Sequence, residues 1–119
     1  MRKPPKHVYS HTITLKQCSG IDVWRTPTFT ETTITGVNVQ PSHDTTRTKD
    51  NTEVQMQAIV FIDSLYSQPF IDMVNAQDTS EANGHLMVIR FGSHDYSVAK
   101  VETLYDEFGR LDHYEVDCI

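Results

Sequence analysis

The chain has 119 residues, 38% of them hydrophobic, and sixteen acids against ten Lys and Arg give a formal net charge of −6. That length fits one domain and can bury about two-thirds of the surface that the unfolded chain exposes. Residues 1–49 carry seven Lys or Arg and three acids, whereas residues 50–119 carry three and thirteen, which argues against the second half gripping nucleic acid by neutralising phosphates.

The same acidity suits a surface that repels DNA, one that docks onto a basic partner, or one that only keeps the protein solvated. Residues 1–6, Met-Arg-Lys-Pro-Pro-Lys, form a basic tail expected to order only when something holds it. No apolar stretch follows its charges, so it does not read as a secretory signal. No apolar run approaches the ~20 residues that span a bilayer. Cys18 and Cys118 have no metal-binding spacing. With Cys118 on the apolar face of the last strand, a buried free thiol is expected, a disulfide being the alternative, in a soluble protein made in a reducing cytoplasm.

In chain order, residues 7–16 predict a first strand with Tyr9, His11, Ile13 and Leu15 on one face. Residues 17–28 predict a connector that buries Trp24, with an interface anchor as the second role for that side chain. Residues 29–40 predict a second strand whose apolar phase changes around Gly36, the mark of a β-bulge or a close backbone approach. Residues 41–52 offer no side chain able to anchor in a core and predict an exposed loop. Residues 53–63 predict one long strand with Val54, Met56, Ala58, Val60 and Ile62 in phase. Residues 69–75 allow a single helical turn, and residues 77–84 predict a second polar loop.

The last third predicts a three-stranded meander. Its strands are residues 86–91, 96–105 and 111–119, divided by turns at Gly92-Ser93-His94-Asp95 and Asp106-Glu107-Phe108-Gly109-Arg110. Tyr114, Val116 and Cys118 form the apolar face of the final strand. The expectation is a single all-β domain over residues 1–119, a small β-barrel or sandwich of about six strands with long polar loops. Closure avoids exposed sheet edges.

The chemistry-bearing residues do not add up to an active site. Ser93-His94-Asp95 are consecutive in a turn, whereas a catalytic triad is assembled from separate places. His113 and Glu115 share a strand face, but a metal needs further ligands, and His11 is the one candidate for a third. A polar strand face is the plainer account. Arg47 and Lys49 make a small basic spot on the 41–52 loop, where solvation and contact with passing DNA are the alternatives.

Phe91-Gly92, Tyr96-Ser97-Val98 with Val101, Gly109 and the closing His113-Tyr114-Glu115-Val116 resemble the end of the small minor capsid proteins of tailed bacteriophages. Ile59-Val60-Phe61-Ile62-Asp63-Ser64 with Pro69 is similar to that family's central strand and turn, and Gly20-Ile21-Asp22-Val23-Trp24 to its aromatic connector. The family's final motif often has two adjacent histidines where this chain has His113-Tyr114. The resemblance implies a non-enzymatic virion protein without cofactor or bound metal. Its place would be the neck: a head-closure or head–tail connector (stopper) subunit, assembled in the host cytoplasm. There it would form a homo-oligomeric ring under the portal and adaptor proteins, above a tail terminator or tail-completion protein. Genomic double-stranded DNA would pass without sequence-specific binding, and no membrane is involved. His43, Arg47, Lys49 and Asp50 are then candidates for the channel or a partner contact. Arg2, Lys3, Lys6, Trp24, His113 and Glu115 are candidates for the subunit interface. A tail-completion or tail-tube protein of the same particle is the alternative, and a metal- or ligand-binding barrel enzyme the more distant one.

Overall fold

The period-two pattern becomes one antiparallel sheet that returns to its first strand. A computed structural model describes residues 8–48 and 50–119. Its elements are β1 (His11–Ile21), β2 (Pro27–Pro41), β3 (Thr45–Arg47), β4 (Glu53–Gln55), β5 (Ala58–Asp63), α1 (Met73–Ala82), β6 (Val88–Phe91), β7 (His94–Tyr105) and β8 (Leu111–Cys118). Hydrogen-bonded order in the main sheet is β1-β2-β5-β8-β7-β6. Thr14, Leu15 and Lys16 of β1 pair with Arg90, Ile89 and Val88 of β6 and close the barrel. β3 and β4 form a separate two-stranded ribbon.

Inward residues alternate as the sequence predicts. Ile13 and Leu15, then Ala58, Val60 and Ile62, then Tyr114, Val116 and Cys118 all lie in one buried cluster. Each fully buried Val, Ile or Leu contributes about 1.5–3 kcal/mol relative to exposure. In β7 no single face is apolar throughout, because the register shifts between Val98 and Lys100. Val98 and Ala99 are consequently both buried, and Val101 takes over the inward position.

Gly36 answers both readings offered for it. The β1–β2 register shifts between His11 and Thr12, leaving Gly36 as the extra residue opposite them. Its φ is +71°, and a Cβ there would lie 2.1 Å from the Tyr66 carbonyl oxygen. The Ser67 hydroxyl donates to the Gly36 carbonyl at 2.7 Å, so the 64–68 turn is clamped against the bulge.

Four expectations are corrected. The first strand reaches Ile21, which shrinks the connector to residues 22–26 and leaves Trp24 in the open. The predicted 53–63 strand is two, because Met56 N–H bonds Asp44 and Gln57 N–H bonds Cys118, breaking the ladder while the inward phase continues. The 41–52 loop is largely the β3–β4 ribbon, and its anchor is a hydroxyl: Thr46 Oγ1 donates to Asp117 Oδ2 at 2.7 Å. Residues 77–84 are mostly helix. Asp72 caps α1 by accepting from Asn75 N–H, and Met73, Ala76, Gln77 and Ser80 are its buried stripe. That stripe has helical spacing but little hydrophobicity, so periodicity alone hid it.

Candidate functional site

Neighbouring barrel strands are antiparallel all round, so β1 and β7 run the same way. The β1–β2 and β7–β8 turns therefore leave from one end of the barrel. β6 pairs with β1 no further than Lys16 and with β7 no further than Ser97, so both hairpins outrun it. The ring order puts β5 between the hairpins on one side and β6 on the other, making them two opposed arms. The molecule is correspondingly long, 49 × 31 × 29 Å. α1 braces the first arm where β6 has ended: Ser80 Oγ accepts from Cys18 N–H at 3.0 Å, and Asn83 Nδ2 donates to the Cys18 carbonyl at 3.1 Å. The β3–β4 ribbon enters from β2 and exits into β5, at the opposite end.

Three of the hairpins, β1–β2, β3–β4 and β7–β8, use the same five-residue turn. The first residue donates N–H to the carbonyl of the fifth and accepts from the N–H of the fourth, in residues 22–26, 48–52 and 106–110 alike. The fourth residue has positive φ each time: Arg25 at 60°, Asn51 at 68° and Gly109 at 77°. A side-chain oxygen on the first residue, from Asp22, Thr48 or Asp106, accepts the fifth residue's N–H. The third residue sits at the crown. It is Trp24 on the first arm, Phe108 on the second and Asp50 on the ribbon.

This one substitution gives the ends opposite chemistry. Trp24 is 84% and Phe108 73% exposed, with Val23 and Tyr105 exposed beside them. Large apolar side chains left exposed at one end of a fold mark a surface made for contact. Arg47 and Asp50 on the ribbon, and His43 just before it, are exposed. Arg47 Nη1 donates to the Asn51 carbonyl at 2.9 Å, and Asp50 accepts from the Thr48 hydroxyl and Thr52 N–H. Of the loop candidates, Arg47 and Asp50 lie at the tip of the ribbon, whereas His43 precedes β3, where its carbonyl accepts from the Gln55 side chain. Lys49, like Arg2, Lys3 and Lys6 of the tail, lies outside the described residues. Phe108 is absent from the sequence-derived candidates, although an aromatic between Asp106 and Gly109 in a turn is the signal that marks it.

His113 and Glu115 lie on the outer face of β8. His113 Nδ1 is 2.7 Å from Asp112 Oδ2, its Nε2 is 3.9 Å from Glu115 Oε2, and its ring centre is 6.4 Å from that of Phe61. His11 belongs to β1, beyond β2 and β5, and its Nδ1 accepts from Val39 N–H. The residues of the suggested metal site are therefore not brought together. No three His, Cys, Asp or Glu side chains among the described residues are grouped to hold a metal ion. Glu115 faces Glu102 across the β7–β8 ladder, and Asp117 faces Lys100. Burial pushes the carboxyls of Glu115 and Asp117 above their ordinary values, with Glu102 adding to both. Burial likewise pushes the Cys118 thiol up to about 12, and both cysteines are free.

A family model described as "Minor capsid protein" matches residues 5–118. The chain belongs to the minor capsid protein family. No curated protein matches it. Membership makes this minor capsid protein a structural component of a phage virion, a non-enzymatic kind of protein. No helix among its described residues is long and apolar enough to cross a membrane.

Proposed function

We propose that this minor capsid protein is a head-closure, or head–tail connector, subunit. It assembles as a ring beneath the portal and adaptor, helps retain the packaged genome and offers the tail a docking surface. The observation that carries this reading is the chemical difference between the two ends. A part that joins unlike neighbours needs two unlike faces, and a turn crowned by Asp50 opposes turns crowned by Trp24 and Phe108. On this reading His43, Arg47, Lys49 and Asp50 border the DNA channel or an axial partner. Arg2, Lys3, Lys6, Trp24, His113 and Glu115 serve contacts between subunits. The acidic second half of the chain would keep the passing duplex from binding tightly.

Electron microscopy of particles from a phage lacking this gene tests the placement. Free tails beside tailless heads that have lost their DNA support head closure. Tailless heads that keep their DNA would move the protein to tail completion, and intact tailed virions would end the reading.

A further inference from the structure

The β1–β2 arm carries an exposed aromatic crown and, lower down, an open groove. At its crown stand Trp24, the only Trp of the chain, and Arg25. Lower on the arm an open groove is lined by Lys16, Phe29, Glu31, Val88 and Asp95. Phe29 is 42% exposed with its ring edge-on to His85, and Lys16 on the strand between pairs across with both Glu31 and Val88. Asp95 is held by Arg90 at 2.8 Å, whereas Glu31 meets Lys16 only at a loose 3.7 Å. Arg25 takes part in none of the ion pairs among the described residues. An arm's crown cannot fold back into its own groove. Glu31 lies seven residues beyond Trp24 on a paired ladder, roughly 20 Å at the rise of a strand.

We propose that the crown of one copy docks in the groove of the next, with Trp24 inserted between Phe29 and Val88 and Arg25 meeting Glu31. The occupant is a second copy of this chain, because the chemistries match: Arg25, in no ion pair among the described residues, stands beside an exposed aromatic, and Glu31, only loosely paired with Lys16, stands beside the part-exposed Phe29. Trp and Arg are also the side chains that most often dominate an interface when desolvated at its centre. Crown and groove are different patches, so the contact is heterologous and builds a ring where the rotation closes. This deepens the ring reading and rests on it.

The test uses the full chain and its single Trp. Sedimentation over a concentration series is expected to show assembly beyond the dimer, with Trp24 emission shifting to the blue as assembly proceeds. Trp24→Ala and Glu31→Arg alter exposed positions, so both should melt as the wild type does while associating at least about ten-fold more weakly. The double variant Arg25→Glu/Glu31→Arg, which exchanges the charges, should regain association. An equimolar mixture of Trp24→Ala and Glu31→Arg should stop at the dimer, since one intact crown and one intact groove remain. Rings that form with unshifted Trp24 emission would overturn this contact and leave the connector reading standing. A protein that stays monomeric, or a wild type that stops at the dimer, would overturn it too. The gene-deletion particles judge the connector reading separately.

Discussion

Asp22 and Asp106 perform the same task on the two arms. Asp22 Oδ1 accepts from Trp24 N–H at 2.9 Å and Thr26 N–H at 2.8 Å. Asp106 Oδ1 accepts from Phe108 N–H and Arg110 N–H, both at 2.9 Å. Each carboxylate ties its aromatic's own backbone into the turn, so the crown is presented rather than loosely hung. The positive φ of the fourth residue lets the chain re-enter the ladder.

Removing either carboxylate should loosen its crown and spare the barrel. Asp22→Ala is expected to speed hydrogen exchange of the Trp24 and Thr26 amides roughly ten-fold, with the Val60 and Val116 amides unchanged. Asp22→Asn keeps an acceptor oxygen and should retain most of the protection. Equal acceleration across the whole sheet would show that the turn holds the barrel together instead.

Gly36→Ala should be among the most damaging single-methyl changes in the chain. The new Cβ would sit 2.1 Å from the Tyr66 carbonyl oxygen, at a φ of +71°. Neither neighbour can yield, since residues 35 and 68 exchange backbone hydrogen bonds on the same turn. A loss of about 3 kcal/mol or more is expected, read as a lower urea midpoint. A variant within about 0.5 kcal/mol of wild type would mean that the clamp is soft.

What the sequence made legible was whatever repeats every second residue. The meander, the inward faces of β1, β5 and β8, and the special status of Gly36 follow from side chains whose chemistry alternates. Elements held by polar atoms were hidden. α1 buries Gln77 and Ser80 to satisfy a strand edge, and the ribbon is anchored through Thr46, so neither announces itself as apolar. Trp24 defies the sequence expectation for a related reason: an aromatic is expected inside, and nothing local says that β6 stops short of the arm. The family resemblance reached further than periodicity, because it rested on turn residues as well as strands.

Ser80→Ala tests whether α1 truly replaces a strand. Ser80 is fully buried, and its Oγ accepts from Cys18 N–H while donating to the His85 carbonyl at 2.7 Å. Alanine leaves a buried donor and a carbonyl unsatisfied, a loss of about 2–3 kcal/mol. Amide exchange at Cys18 should rise more than at Leu15, whose ladder to β6 is intact. A fully stable variant with Cys18 still protected would show that water serves the edge as well as the helix does.

The acidic face of β8 should make the protein more stable when mildly acidified. Glu115 and Asp117 have carboxyls raised by burial, with the Glu102 charge adding to both; His113 opposes the rise at Glu115, and the Thr46 hydroxyl and Lys100 oppose it at Asp117. A raised carboxyl binds its proton more readily folded than unfolded. Stability therefore grows as pH falls from neutral through the raised values, and the gain is complete below the ordinary carboxylate range. Asp95 and Asp106 work the other way. Arg90 lowers the first and backbone donors led by Arg110 N–H lower the second, so their contribution disappears only as pH drops below the ordinary range. The two trends place the maximum on the acid side of neutrality. Asp117→Asn keeps an oxygen for the Thr46 hydroxyl and removes the buried charge. Its melting temperature should exceed that of the wild type at neutral pH, and the two should converge as both are acidified. If Asp117→Asn melts lower at neutral pH, then the Asp117 charge is stabilising where it stands, and its attraction to Lys100 outweighs the cost of its burial.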